Sequence, residues 1–316
     1  FGCGHYRVIQ PFSALRESAS IDGALSIGLM HVADLERYDP DVLVLQRQVG
    51  EERLEAMRRM QAFSRAFKVY ELDDYLPNVP LKSAHRQHLP KDILRTLRRG
   101  LGYVDRFVVS TPALAEAFAG LHPDIRVIEN RLPVGWWQGL RAQRRRGERP
   151  RVGWAGASSH TGDLELIADV VRELADEVDW VFFGMCPPSI RPFVREVHAG
   201  VPIERYPRAL AALDLDLALA PVEQNLFNEC KSNLRLLEYG ACGFPVVCSD
   251  VRCYQDDLPV TRVKNRFRDW VDAIRMHTRD LDAAARAGDH LRERVLADWM
   301  LDGERLRAWY RAWMPD

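Results

Sequence analysis

Short apolar runs alternate along the chain with longer segments in which apolar residues recur every three or four positions. The short runs indicate buried strands and the longer segments indicate amphipathic helices, so their order predicts an α/β fold built from crossover units around parallel sheets. Five strands are predicted in the first half, at residues 25–29, 42–46, 68–72, 107–110 and 126–129. Six are predicted in the second half, at residues 152–155, 180–184, 201–206, 215–220, 245–249 and 260–264.

Three helical segments stand out between and after these runs. Residues 51–67 carry apolar side chains on one side and arginines and glutamates on the other. Thr111 and Pro112 predict the start of a helix over residues 113–118, because threonine caps helices well and proline fits their first position. Residues 291–313 carry a broad apolar stripe rich in tryptophan, so this last helix should dock on a large surface.

The chain has 316 residues, enough for two ordinary domains, and its clearest break lies at residues 141–151. That stretch is rich in arginine, nearly devoid of apolar residues, and interrupted by a glycine and a proline. RNA binding by Arg144, Arg145 and Arg146 is the alternative, but no aromatic residues that stack on bases lie between them, which favours a solvated linker. We expect domains over residues 1–140 and 141–290 and a tail over residues 291–316.

Charge and cysteine content narrow the choice of partners. The 44 basic and 45 acidic residues leave a formal charge of -1, so no general attraction for nucleic acid or membranes exists, and no nucleic-acid partner is expected. No apolar run reaches the roughly 18 to 20 residues that cross a bilayer, and no signal sequence is visible. We therefore expect a cytoplasmic protein, free or peripheral at the inner membrane face.

The six cysteines lack zinc-binding spacing and are expected to be reduced thiols.

The chain opens with glycines at positions 2 and 4 and reaches a helix-like segment with no strand before them. Glycine-rich turns of this kind normally follow the first strand of a Rossmann unit. We therefore expect the first strand to lie upstream and the sequence to be part of a longer multidomain chain, although a missing start methionine also fits simple processing.

The most informative stretch is residues 228–247, NECKSNLRLLEYGACGFPVV. A serine or an asparagine can cap a helix over residues 234–241, and a glycine and a proline end that helix before a buried strand. Its free N–H groups and positive dipole end, with Lys231 beside them, suit a diphosphate. Glu238 lies about a turn and a half further on and can accept hydrogen bonds from ribose hydroxyls. A capped surface helix with an exposed lysine and glutamate is the alternative.

This stretch resembles the donor-binding segment of the retaining, group 1 type glycosyltransferases of the GT-B fold. Those enzymes share an acidic residue, small residues and a Gly-x-Pro-Val-Val pattern, which occupies residues 238–247 here. The Lys-Ser-x-Leu-Lys/Arg-x-Leu-Glu-Tyr form at residues 231–239 is familiar in members that assemble bacterial polysaccharides. The resemblance implies two facing Rossmann-like domains, an acceptor domain over 1–140 and a donor domain over 141–290, with a C-terminal helix that crosses back onto the first.

The resemblance also implies roles on the donor side. Many members carry two glutamates with seven residues between them, the first touching the donor sugar and the second the ribose. The ribose role transfers to Glu238, but counting back from it reaches Cys230, so the sugar contact falls to Asn228 or Glu229. The diphosphate would be held by Lys231, by the backbone N–H groups of Ser232, Asn233 and Leu234, and by Arg235.

Residues 152–164 resemble the first strand and glycine loop of the donor domain in the same enzymes. Gly156 would let the backbone approach the phosphates. Polar contacts would come from the residues that follow it, Ser158, Ser159 and His160. A strand-to-helix turn capped by Asp163 explains this stretch equally well without function.

Two places in the first half are implied to face the interdomain cleft. Gly4, His5 and Arg7 resemble the loop after the family's first strand, where the arginine would reach a phosphate or form a surface ion pair. Asp73 and Asp74 follow a predicted strand, so either can orient an acceptor hydroxyl or take its proton. Paired aspartates also cap helices and line turns. The histidines at positions 85 and 88 are expected to be plain surface residues.

The implied reaction moves a sugar from a nucleotide-diphosphate sugar to a hydroxyl of a glycan, a lipid-linked acceptor or a protein, with retention of configuration. Cationic side chains and helix N–H groups would neutralise the leaving diphosphate, so no metal and no other cofactor is expected. Two alternatives stay open. They are a nucleotide-sugar epimerase of the same fold and a non-catalytic sugar-nucleotide-binding module of a larger protein.

Overall fold

The computed structural model describes residues 2–28, 30–80, 83, 86, 89–144 and 147–316. In these residues, parallel strands form two sheets. The first, in the order β1-β2-β3-β4, comprises β1 (Val42–Gln46), β2 (Phe67–Leu72), β3 (Arg106–Val109) and β4 (Ile125–Val127). The second, in the order β10-β9-β8-β5-β6-β7, comprises β5 (Arg151–Ala155), β6 (Asp179–Gly184), β7 (Glu196–Ala199), β8 (Leu217–Ala220), β9 (Val246–Ser249) and β10 (Thr261–Val263).

Helices connect the strands and cover the sheets. A π-helical turn, His5–Ile9, joins α1 to α2. The α-helices are α1 (Gly2–Gly4), α2 (Gln10–Glu17), α3 (Val32–Tyr38), α4 (Glu51–Phe63), α5 (Ile93–Leu101), α6 (Pro112–Ala117), α7 (Val134–Trp137), α8 (Thr161–Glu165), α9 (Ala168–Glu173), α10 (Tyr206–Ala211), α11 (Leu226–Glu229), α12 (Leu234–Cys242), α13 (Phe267–Arg279), α14 (Leu281–Asp298) and α15 (Gly303–Trp313). Short 3₁₀ turns lie at Leu76–Asn78, Ser158–His160, Arg191–Phe193, Ile203–Arg205 and Arg252–Tyr254. None of the described helices combines the length and hydropathy needed to cross a bilayer.

Most predicted strands are present within two residues of their predicted bounds, but two predictions are wrong. Residues 25–28 are irregular and Ile27 is fully exposed, because no layer covers this apolar run; Leu29 lies outside the described residues. Residues 201–206 form a 3₁₀ turn and the start of α10, with Pro207 in its first turn. The strand in this region is β7, a short and mostly exposed edge strand with only two apolar residues, too few to indicate a strand from the sequence.

The tail crosses back onto the first sheet, as predicted, but as a second helix rather than one continuous helix. The single predicted segment is broken between α14 and α15, where the backbone around Met300 pairs with Leu132. Trp309 and Trp313 of α15 then pack in one cluster with Val69 and Val108 of the first sheet. The large buried aromatic area explains why the chain returns to the first half.

Residues 141–144 and 147–150, the described part of the arginine-rich stretch before β5, have no regular structure, but this part is not freely solvated. Arg144 donates to the carbonyl of Ala285 at 3.0 Å and pairs with Asp289 at 2.8 Å, so it is attached to α14. Arg145 and Arg146 lie outside the described residues, as do the histidines at 85 and 88. The predicted boundaries at residues 140 and 290 stay predictions.

The cysteines test the expectation that all six are reduced thiols. None of the six is bonded to another, and Cys230, Cys242 and Cys248 are buried, which raises the pKa of each thiol. Buried thiols of this kind behave as small apolar side chains. We expect the melting temperature to be the same with and without strong reductant, and metal analysis to find no stoichiometric zinc. A large drop in melting temperature under reductant would show that the fold depends on a disulfide.

Candidate active site between the two sheets

The start of α12 and the short helix before it lie against the carboxyl edge of the first sheet. Thr111, just after β3, donates to the carbonyl of Cys230 at 2.8 Å, and its hydroxyl also caps α6 as predicted. Asn130, just beyond β4, donates to the hydroxyl of Ser232 at 2.9 Å. Cys230 is fully buried in the core of the first half. The carboxyl edges of parallel sheets, where ligands of such folds bind, therefore meet at this segment.

A small pocket opens between the two halves at this point. Its wall combines residues that follow β2, β5 and β8 with residues of the segment before α12. The lining residues are Pro80, Ser83, Ser159, Gly162, Asp163, Glu223, Phe227, Asn228 and Lys231. Three of the residues predicted on the donor side, Ser159, Asn228 and Lys231, thus share one cavity; the Ser158 side chain lies outside the described structure.

Two cations beside this cavity have no anionic partner among the described residues. The Lys231 ammonium lies over the ring of Phe227, 4.9 Å from its centroid, with no carboxylate oxygen within salt-bridge distance. The Arg235 guanidinium lies over Trp154 at 5.1 Å, and its buried Nη1 has no hydrogen-bond partner. A buried guanidinium without an acceptor is costly unless a ligand satisfies it.

The N-terminus of α12 adds uncommitted donors. The backbone N–H groups of Ser232, Asn233, Leu234 and Arg235 donate to no group in the described structure. Asn233 does precede the helix as predicted, but its side chain donates to Asp256 at 2.7 Å and makes no capping bond. Free N–H groups, a positive dipole end and two unpaired cations together form an anion-binding site.

Gly156 is required by packing at the end of β5. A Cβ at this position would approach the Trp154 ring to 2.5 Å and the Arg235 guanidinium to 3.0 Å. The glycine therefore makes room for the arginine, whose guanidinium lies between the glycine loop and α12. This close approach is a packing role that the sequence pattern did not predict.

Asp163 organises the loops around the cavity. It is buried and accepts hydrogen bonds from His160 Nδ1 at 2.7 Å, from the Glu223 backbone at 2.8 Å and from Asn228 Nδ2 at 3.2 Å. Burial alone would raise the pKa of Asp163, but His160 and Lys231 hold it below its usual range. Burial, with Arg235 and Lys231 nearby, lowers the pKa of His160 to about 3, so the ring is neutral and its Nδ1–H donates to Asp163. The expectation that Asp163 caps a helix is wrong, because it lies within α8.

The two residues predicted to contact the sugar, Asn228 and Glu229, differ in burial and in their distance from the cavity. The side-chain amide of Asn228 is committed to Asp163 and to the carbonyl of Glu223 at 2.8 Å. Asn228 is buried and positions the loop after β8. Glu229 is half-buried and does not line the cavity. Glu223, which does line it, was missed, although its place three residues after β8 puts it at the carboxyl edge of the sheet.

Glu238 is buried where the two halves touch. One carboxylate oxygen accepts from the hydroxyl of Tyr6 at 2.7 Å and the other from the hydroxyl of Tyr206 at 2.9 Å. Burial raises the pKa of Glu238, and the two hydrogen bonds and Arg235 counteract that increase. Because Tyr6 belongs to the first half, this carboxylate links the two sheets. Tyr6 was missed by the sequence analysis, which assigned roles to its two neighbours.

The predicted cleft loop is a buried structural element. Gly4 faces the Gln46 side chain at the end of β1, and His5 is buried against Trp136, with its pKa lowered to about 4 by burial. Arg7 is fully buried in an ion pair with Glu71 at 2.8 Å. The prediction of a surface ion pair or a phosphate contact for Arg7 is wrong, because the helical N-terminal segment packs this side chain into the first half.

Asp73 and Asp74 follow β2 and do not line the cavity, but only one of them is paired. Asp74 forms an ion pair with Arg47 at 3.2 Å. One oxygen of Asp73 is buried without a hydrogen-bond partner, and burial together with Asp74 raises the pKa of Asp73 to about 6. Cys3 lies beside both carboxylates. The structure thus separates two adjacent aspartates that the sequence could not distinguish.

Comparison with known proteins agrees with this architecture. A family model described as "Glycosyl transferase-like" matches residues 165–308, slightly less than half of the chain. A search of the curated proteins finds no match. Sucrose-phosphate synthase from Thermosynechococcus elongatus superposes with a TM-score of 0.66 at 16% identity, over 88% of this chain and 75% of that one. Anabaena HepE in complex with UDP-glucose superposes with a TM-score of 0.64 at 13% identity, over 95% and 88%. TarM gives 0.64 at 15% identity over 89% of this chain, which spans only 57% of TarM.

The two facing sheets and the returning tail define a protein of the GT-B fold, and the predicted fold class is confirmed. Residues 165–308 match the glycosyltransferase-like family model, and the predicted resemblance to group 1 type glycosyltransferases is confirmed.

Proposed function

We propose that the protein transfers a sugar from a nucleoside-diphosphate sugar to a hydroxyl acceptor, and that the cavity between the sheets holds the donor. The observation that carries this proposal is the set of unpaired donors at α12: the ammonium of Lys231, the guanidinium of Arg235 and four free backbone N–H groups. Such groups stabilise the charge that develops on a departing diphosphate. The same residues supply this stabilisation without a metal ion or other cofactor.

The ribose of the donor is proposed to bind at Glu238. Each oxygen of this carboxylate accepts one tyrosine hydroxyl and retains lone pairs for a further hydrogen bond. Its two tyrosines hold the carboxylate in a fixed orientation about a turn and a half from the phosphate site. Ribose binding here would couple the donor to the contact between the two halves.

Finer features of the proposal come from the family resemblance. Retention of configuration, a place in bacterial polysaccharide assembly, and a glycan, lipid-linked or protein acceptor are proposed on this basis, as is a cytoplasmic site of action, free or at the inner membrane face. Anabaena HepE and an alpha-glucosyltransferase were solved with UDP or UDP-glucose, so uridine nucleotides are the first donors to test.

Nucleotide binding tests the proposal directly. Charge-assisted hydrogen bonds contribute roughly 1.5 to 3 kcal/mol, so Lys231→Ala should weaken UDP binding by at least about tenfold. Glu238→Gln, which keeps an acceptor for a tyrosine hydroxyl, should weaken it by about fivefold. Isothermal calorimetry measures both, and Lys264→Ala, which removes an exposed lysine of the same half, is the control.

Unchanged affinity in both folded variants would remove the proposed donor site. A panel of nucleotide sugars then separates the three functions. Transfer or hydrolysis supports a glycosyltransferase, an isomerised donor identifies an epimerase, and binding without chemistry identifies a non-catalytic module.

A further inference from the structure

Glu223 places a free carboxylate in the wall of the donor cavity. Its backbone is fixed at both ends, because its N–H donates to Asp163 at 2.8 Å and its carbonyl accepts from Asn228 at 2.8 Å. Its side chain makes no hydrogen bond or ion pair within the described structure. Because its backbone is held in place and its side chain has no partner in the described structure, the Glu223 carboxylate is available to bind a ligand.

The neighbouring glycine makes room for this carboxylate. A Cβ at Gly162 would lie 2.6 Å from one Glu223 oxygen and 2.9 Å from its carboxyl carbon. Any larger residue at position 162 would push the carboxylate out of its place. The sequence therefore keeps a glycine inside α8 at the point where the Glu223 side chain passes.

The cavity has opposite charges on its wall. Lys231 and Glu223 both line it, yet no oxygen of the glutamate lies within salt-bridge distance of the ammonium. A ligand that fits both must offer an anionic group to the lysine and a hydrogen-bond donor without negative charge to the glutamate. A carboxylate accepts hydrogen bonds but donates none, and it repels another carboxylate.

We propose that Glu223 binds hydroxyls of the donor sugar and selects a neutral hexose over a hexuronate. This inference rests on the proposed function, in which the diphosphate lies at Lys231 and the attached sugar is the next group along the donor. Glu223 would then take the sugar contact for which the sequence offered Asn228 and Glu229. The negative charge disfavours donors whose sugar is itself acidic.

The test compares UDP-glucose with UDP-glucuronic acid, which differ only in the oxidation state of C6. Calorimetry should show that the wild-type chain binds UDP-glucose at least tenfold more tightly than UDP-glucuronic acid. Glu223→Gln should reduce that ratio at least tenfold and leave the affinity for UDP itself unchanged. Gly162→Ala should reduce the ratio in the same direction, because its methyl group displaces the carboxylate while Glu223 is retained.

Glu293→Gln makes the same chemical change at an exposed site on α14 and should leave the ratio unaltered. An unchanged ratio in Glu223→Gln, with UDP binding intact, would overturn the inference and leave the proposed function standing. If the wild-type chain binds GDP or ADP instead of UDP, the hexose and hexuronate of that base replace the pair. A wild-type chain that binds no nucleoside diphosphate would overturn the proposed function itself.

Discussion

Replacing Arg7 by methionine should lower the free energy of unfolding by about 3 to 5 kcal/mol, the usual effect of removing one partner of a buried ion pair. Arg7 and Glu71 are both fully buried, and the guanidinium bonds the carboxylate through two nitrogens, at 3.0 and 2.8 Å. It also donates to Asn130 at 3.1 Å and lies over the Trp309 ring at 4.5 Å. The indole of Trp313 donates to the other oxygen of Glu71 at 3.0 Å.

The change therefore loosens three elements at once: the N-terminal helical segment, β2 and α15. Urea unfolding measures the effect. Arg58→Met, which breaks an exposed ion pair with Glu55, is the matched control and should change the free energy of unfolding by about 1 kcal/mol or less. Arg7→Met combined with Glu71→Met should recover part of the loss, since no buried charge is left unpaired. A decrease of less than about 1 kcal/mol in Arg7→Met would show that the pair contributes little.

The elements that the sequence predicted well are those whose signal is local. Buried central strands such as β8 and β9 are mainly apolar runs. Gly243, in a left-handed conformation with φ of 83°, ends α12 where the pattern places it. Edge strand β7 was missed because exposed strands need no apolar residues. The segment at 201–206 was assigned wrongly because a few apolar residues in so short a segment do not distinguish a strand from a turn that enters a helix.

The sequence predicted the positive charge of the donor site, but it did not predict which residues contact Glu238. Lys231 and the free N–H groups of α12 follow from a predicted helix start on the donor side. The contact of Tyr6 with Glu238 joins residues 232 positions apart, so no spacing rule finds it. Glu223 could have been found, because it lies three residues after central strand β8, on the ligand-binding edge of the sheet.

Asp73→Asn should reduce turnover about a hundredfold or more while leaving UDP affinity nearly unchanged, the expected loss for a general base. Asp73 is the aspartate whose charge is not committed to an ion pair, and its pKa of about 6 suits proton transfer near neutral pH. Its position also fits the acceptor side. Ser110 donates to the Asp73 carbonyl at 3.0 Å, and the next residue, Thr111, contacts Cys230 of the donor segment.

The pH dependence of kcat tests most directly whether Asp73 is the base. A base must be deprotonated to accept the acceptor's proton, so wild-type kcat should fall as pH drops through about 6 and level off above it. The negative charge of Asp74 raises the pKa of Asp73, and Arg47 lowers it. Asp74→Asn removes that charge and frees Arg47, so the fall in kcat should move to lower pH, with little change at pH 7.5. Normal turnover by Asp73→Asn, or an unmoved profile in Asp74→Asn, would mean that the two carboxylates only shape the turn after β2 and that another group takes the acceptor's proton.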